Sequence, residues 1–202
     1  MHTIRHAIIA CHPSEDSFTL SVARRYAEAV EAHGQRAIIR DLYRMNFDPV
    51  LREQARLGHP EADVLQEWDE LAETDVFVLV YPIWYGSPPA LLKGYIDRVF
   101  GAGRTRGLAE NAEAGRLSGK RLVSFTSSGS MRAWLEEKGI VMSLRNLFDR
   151  YLGHVFGFSA THGYHFDGVT ADIPERDVRM HLADVEKAAR EVMSHIVMAH
   201  RA

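Results

Sequence analysis

Apolar positions along the chain switch repeatedly between two rhythms. Runs at residues 4–10, 37–39, 76–80, 120–126 and 155–160 read as five strands, and the near-unbroken run at 76–80 suits a strand covered on both faces. Between them lie helical stripes. Leu20, Val22, Ala23, Tyr26, Ala27 and Val30 mark a helix over residues 19–33, with Gly34 as its stop. After the break at Gly58-His59-Pro60, Val64, Leu65, Trp68, Leu71 and Ala72 mark another. A third carries Leu91, Leu92, Tyr95, Ile96, Val99 and Phe100, entered through Pro88 and Pro89. Residues 134–152 have helical spacing, with Leu144, Leu147, Phe148 and Tyr151 on one face. A long last helix over 175–200 turns Val178, Leu182, Val185, Ala189, Val192, Ile196 and Val197 inward.

Strand alternating with helix predicts an α/β fold, a doubly wound five-stranded parallel sheet in one domain over residues 1–202. With strand order 2-1-3-4-5, the loops after strands one, three and four converge at the switch point, where such sheets bind ligands. A receiver domain shares that order but needs an acidic cluster after strand one, where His12-Pro13 stands instead.

Those three loops carry the chemistry. Residues 81–89 place Trp84 and Tyr85 off the apolar stripe of the following helix, as a wall for a planar ligand or as packing. The first loop, His12-Pro13-Ser14-Glu15-Asp16-Ser17-Phe18-Thr19, has strand-loop-helix geometry that aims backbone N–H groups at an anion. It contains neither a P-loop nor a G-x-G-x-x-G fingerprint, so hydroxyls and backbone would hold a phosphate; Ser17 or Thr19 equally suits a helix N-cap. Thr126-Ser127-Ser128-Gly129-Ser130-Met131 lets backbone approach a ligand closely, or forms a Ser-rich turn. In residues 41–49, Leu42, Met45 and Phe47 read as buried and structural. The glycine-rich loop at 101–119 offers Arg104 and Arg106 to a nicotinamide cofactor's phosphate, a solvated charged loop being the simpler reading.

Composition narrows the class. Hydrophobic residues make up 46% and charged residues 25%, ordinary for a soluble globular chain of 202 residues. A net charge of −3 lacks the basic footprint of a nucleic-acid binder. The apolar runs are too short to span a bilayer and the first ten residues lack a secretory signal, so a cytoplasmic protein is expected. Cys11 is the single cysteine, which excludes an internal disulfide and suits a reducing compartment. His154, His162 and His165 have no cysteine and few carboxylates near them, so packed or free imidazoles are expected rather than a metal site.

Pro82-x-Trp84-Tyr85-x-x-x-Pro89-Ala90-x-Leu92-Lys93-Gly94-x-x-Asp97-Arg98-Val99-Phe100 resembles the signature loop and helix of the flavodoxin-like NAD(P)H:quinone oxidoreductases, DT-diaphorase among them. The likeness covers nearly the whole chain, including His12-Pro13-x-x-x-Ser17-Phe18, residues 41–49 and the Ser128-Gly129 turn. It implies an NAD(P)H dehydrogenase (quinone). NADPH or NADH would reduce a bound FAD, with FMN the alternative, and a quinone would then take two electrons in a ping-pong cycle. It implies flavin contacts from His12, Ser17, Phe18 and Thr19, from Pro82, Ile83, Trp84, Tyr85 and Gly86, and from Thr126, Ser127, Ser128 and Gly129, with Arg179 at the adenosine end. It also implies a homodimer in which the second subunit completes the cleft.

The sequence departs from that family in two places. Thr19 stands where an asparagine is usual. In the vertebrate-type enzymes a tyrosine and then a histidine follow the glycine turn; here Arg132 takes the tyrosine's place and no histidine appears before His154. Tyr85 and Arg132 are thus the expected catalytic residues. Arg132 either offsets charge on the reduced flavin or opens the next helix toward solvent. Similar proteins also serve as flavin-binding subunits of bacterial potassium-efflux systems. A flavodoxin-type electron carrier is the remaining alternative, although carriers are usually strongly acidic.

Overall fold

Strand β1 (Arg5–Ala10) lies between β2 (Arg36–Asp41) and β3 (Val76–Pro82), and β4 (Arg121–Ser127) and β5 (Ala160–Phe166) continue the sheet beyond β3. Every pairing is parallel, in the order β2-β1-β3-β4-β5, as the alternation predicts. The computed structural model describes residues 3–102 and 117–199. Arg104 and Arg106 of the 101–119 loop lie outside these described residues, as does His200.

Alternate side chains of the central strands enter opposite layers. Ile8, Ala10, Val76, Val78 and Val80 pack against α1 (Phe18–Glu31) and the long C-terminal helix (Glu175–Ala199). Ala7, Ile9, Phe77, Leu79 and Tyr81 face the other layer. There α2 (Glu53–Arg56) precedes α3 (Ala62–Glu70), which contributes Val64 and Trp68. Helix α4 (Ala90–Tyr95) contributes Leu92 and Tyr95 and runs on through a widened π turn, Ile96–Phe100. Leu42 is fully buried, with Met45 and Phe47 packed against the same core. Gly94 of α4 lies against the 48–49 turn so closely that a Cβ would stand 2.6 Å from Pro49 Cα and nearer still to its carbonyl oxygen.

Two expectations need correction. The run at 155–160 is not the fifth strand. Val155 and Phe156 end a helix, Gly157 stops it at φ 72, and the strand begins at Ala160. As an edge strand, β5 is mostly half-buried and mixed in composition, so no apolar run marks it. Nor is 134–152 one helix. It comprises α5 (Arg132–Glu137), a left-handed break at Gly139, α6 (Ile140–Leu144), a π turn (Arg145–Arg150) and α7 (Tyr151–Phe156). A π turn shifts the phase of everything after it. Phe148 and Leu152 therefore stay buried, while Tyr151, expected inside, is 59% exposed. The Leu147 side chain lies outside the described residues. The C-terminal helix, α8 (Glu175–Ala199), agrees with its predicted stripe through Val185, Ala189, Val192 and Ile196; the Val197 side chain again lies outside the description.

Candidate active site

After β1 the chain turns directly into α1. Ser17 is the N-cap, its Oγ accepting from the Leu20 N–H at 3.2 Å. Capping uses the oxygen and leaves the hydroxyl hydrogen for another acceptor, so both sequence readings of Ser17 hold together. The N–H groups of Phe18 and Thr19 fall in the first turn, where no intrahelical acceptor exists, at the positive end of a 14-residue helix. The Ser14 N–H donates to His12 Nδ1 at 3.1 Å, which leaves Nε2 as the ring's donor. Arg44 fastens the loop from outside, donating to the carbonyls of His12 (3.0 Å) and Pro13. The 41–49 segment thereby supports this loop as well as filling core.

After β3 the backbone makes a two-residue hairpin. Trp84 and Ser87 exchange N–H···O bonds of 2.9 and 3.0 Å across Tyr85 and Gly86, whose φ values are 51° and 79°. Positive φ at both central positions is the I′ geometry that closes the tightest hairpins. The Trp84 ring, 38% exposed, lies 6.2 Å from the His12 ring, and the two form one wall. Tyr85 sits on the tip, wholly exposed. Ile83 N–H donates to the Ser127 carbonyl at 2.7 Å and ties this loop to β4.

Beyond β4, Ser128 N–H donates to the Phe166 carbonyl (3.0 Å), and the Val169 N–H donates to the Ser128 carbonyl (2.8 Å). The Gly129 N–H has no acceptor among the described residues. Thr126 turns away from this edge, its hydroxyl donating to the Tyr164 carbonyl and lying 2.9 Å from His165 Nδ1.

These loops enclose a cleft of about 620 Å³, within the range of cofactor sites. It brings together His12, Ser17, Phe18 and Thr19 with Pro82, Ile83 and Trp84, and both with Ser127, Ser128 and Gly129. Tyr85, Gly86, Thr126 and Arg179 do not line it. Gly86 faces a second hollow of about 260 Å³ with Ser143, Leu144 and Phe148. Arg179 is on the outer face of α8, paired with Glu175 at 2.8 Å. Arg132 opens α5, and its side chain lies outside the described residues. Sequence reasoning missed the wall after β5, formed by Val169, Thr170, Ala171 and Ile173. Placing the fifth strand too early hid this loop; the Asp167-Gly168 turn, with Gly168 at φ 65, was the available signal.

The donor set fits a phosphate-bearing planar cofactor. One end has hydroxyls and free helical N–H groups, the middle has rings, and the other end has the Ser128 hydroxyl and the Gly129 N–H. Burial pushes the Cys11 thiol up to about 12, so the one cysteine near this edge is no nucleophile. His154 is exposed on α7, while His162 stacks on His195 of α8 with ring centroids 5.7 Å apart.

Comparison with known proteins agrees with this geometry. A profile of the flavodoxin-like fold family matches residues 5–189. An uncharacterized NAD(P)H oxidoreductase of Haemophilus influenzae is 31% identical over 198 residues, covering 96% of each chain. The uncharacterized NAD(P)H oxidoreductase YcaK of Escherichia coli is 34% identical over 76% of this chain and 80% of its own. Among solved structures, the NAD(P)H:quinone oxidoreductase from Methanothermobacter marburgensis superposes with a TM-score of 0.80 at 26% identity, covering 95% of this chain and 98% of that one. By its sheet order, its cleft and these matches, the chain belongs to the flavodoxin-like fold family, together with these NAD(P)H oxidoreductases.

Proposed function

We propose that the protein is an NAD(P)H-dependent flavoprotein oxidoreductase that passes two electrons to quinones or similar acceptors. The observation that carries this reading is the meeting of three carboxyl-edge loops in one cleft, with a ring wall between an anion-binding end and a hydroxyl-lined end. The names of its relatives supply NAD(P)H, and the Methanothermobacter enzyme's name supplies the quinone. Bound flavin would contribute the two-electron chemistry. The chain contributes position and charge. Ser17, Thr19 and the first-turn N–H groups of α1 would hold phosphate, Trp84 and His12 the ring face, and Ser128 with the Gly129 N–H its polar edge. Tyr85, at the exposed tip, would meet the incoming second substrate.

Phe18, Ile173 and Val178 also line the cleft, apolar groups that would suit an adenine. This favours FAD over FMN. Heat release followed by chromatography should return FAD in equimolar amount; FMN alone would overturn that choice. The protein should then oxidise NADH or NADPH steadily with a soluble quinone. An electron carrier would give almost no turnover.

The reading includes a homodimer, supported by exposed apolar groups: Met131, Trp134, Met142 and Tyr151, all about half exposed or more. A partner copy would cover them. Light scattering should give twice the chain mass at micromolar concentration, and a fully active monomer would refute it. We place the protein in the cytoplasm, where Cys11 would remain a thiol. Among the described residues no helix is long and apolar enough to cross a membrane.

A further inference from the structure

Behind the hydroxyl-lined end of the cleft, one imidazole is held between two hydroxyls. Thr126 Oγ1 lies 2.9 Å from His165 Nδ1, and Ser128 Oγ lies 3.2 Å from His165 Nε2. Thr126 and His165 are register partners across β4 and β5, so the sheet itself sets their spacing. The Thr126 hydroxyl donates to the Tyr164 carbonyl at 3.1 Å. A hydroxyl has one hydrogen, so the short contact to Nδ1 requires Nδ1–H to donate to Thr126. Nε2 is then the atom whose state varies. While Nε2 is bare, the Ser128 O–H points at it and the serine oxygen offers lone pairs to the cleft. Once Nε2 carries a proton it donates to Ser128 Oγ. The serine hydrogen is then released, toward the Ser130 carbonyl at 3.3 Å or toward an acceptor in the cleft.

We propose that His165 is a proton-holding positioning residue, whose protonation converts Ser128 from an acceptor into a donor toward the group lying against Ser128 and Gly129. The inference rests on the flavin reading, in which that group is the polar edge of the ring. This edge gains negative charge on reduction, and a donor there stabilises it. As two electrons enter, one proton from solvent moves onto Nε2, and no bond within the protein breaks. Neither Ser128 nor Gly129 is charged, so the imidazolium would bring the positive charge to this edge.

Titratable and charged groups from several elements lie near His165. From the π turn, Asp149 and Arg145 share a cavity of about 20 Å³ with His165, and Tyr81 of β3 and Tyr164 of β5 also line it. Asp149 accepts from Ser124 Oγ at 2.7 Å, and burial pushes its carboxyl up to about 6. Burial holds Tyr81 well above the usual phenol range, so it stays neutral. Just past the end of β5, Asp167 follows two residues on.

A clasp between two strands needs only hydrogen bonds, which His165→Gln retains without the titration. The test measures the reduction potential of flavin-loaded wild type and His165→Gln from pH 5.5 to 9. Wild type should show an inflection that the variant lacks. At the acid end, the variant's reduced state should be disfavoured about tenfold, or about 30 mV for a two-electron couple. In parallel, NMR titration of the flavin-free protein should show the His165 midpoint displaced by Ser128→Ala. Matching potential profiles would overturn the role in reduction, and an undisplaced midpoint would overturn the coupling to Ser128. A preparation that binds no flavin would instead remove the cofactor reading, leaving the NMR result to judge the coupling.

Discussion

Gly94→Val should cost the fold about 3 kcal/mol, the upper end of the range for over-packing a core. The reason is what the new Cβ would meet. It falls 2.6 Å from Pro49 Cα, so the obstacle is backbone rather than a side chain able to swing aside. That backbone is itself fixed, because Arg98 Nη1 donates to the Asp48 carbonyl at 2.5 Å, and Arg98 is clamped by Glu61 and Asp63. Relief would require moving either α4 or the 48–49 turn, and α4 carries Leu92 and Tyr95 into the core. The midpoint of urea unfolding should drop sharply for Gly94→Val and less for Gly94→Ala. An unchanged midpoint for the valine variant would show that the turn yields freely.

The second large effect appears in acid. His6 is completely buried in β1, with Nε2 2.6 Å from Gln35 Oε1 and Nδ1 3.0 Å from the Tyr26 hydroxyl. The amide oxygen only accepts, so Nε2 carries the hydrogen and Nδ1 accepts from tyrosine. The neutral ring is satisfied, and burial lowers its pKa from 6.5 to about 4. Below pH 6.5 the unfolded chain takes up a proton that the folded one refuses until about pH 4. The stability contributed by His6 is therefore complete above 6.5 and lost as pH falls through that window, by about 3 kcal/mol. Asp149 acts in the opposite sense. Its folded carboxyl is raised from 3.8 to about 6, so its contribution is full below 3.8 and lost as pH rises through 6. Between pH 4 and 6 the two slopes offset. His6→Gln keeps a donor and an acceptor but does not titrate, so it should expose the Asp149 slope: its stability should rise as pH falls from 6 to 4, relative to wild type. Parallel urea-unfolding profiles for the two proteins would refute this account.

What could be read from the sequence follows burial. Strands β1, β3 and β4 are covered on both faces, and their composition announced them together with the loops that follow. Those loops supplied His12, Ser17, Trp84, Ser128 and Gly129, which do line one cleft. β5 is an edge strand with one uncovered side, so Ala160–Phe166 has no distinctive apolar pattern, and the wall it leads into was missed. The π turn at Arg145–Arg150 changes helical phase with no residue type to mark it, and Tyr151 was therefore assigned to the wrong side. Tyr85 was expected against the cofactor, because aromatic residues at a ligand edge read alike whichever way they point. Its direction is set by a positive φ that the Tyr-Gly pair does not advertise. His165 was read as a packed or free imidazole with no part in the site, since its neighbours Thr126 and Ser128 are distant in sequence and adjacent only across the sheet.

The hairpin at Trp84–Ser87 separates the shape of the loop from its chemistry. Main-chain bonds alone close it, and neither ring is needed to hold it shut. Tyr85 occupies a left-handed conformation that asparagine, aspartate or glycine would adopt with less strain, so keeping a tyrosine there has a small folding cost. Drift at this tip would run toward smaller residues unless the ring is selected for what it touches outside the fold. Position 85 thus forms an evolvable rim on a fixed frame, where the range of accepted substrates can change while the sheet and the anion-binding end stay as they are.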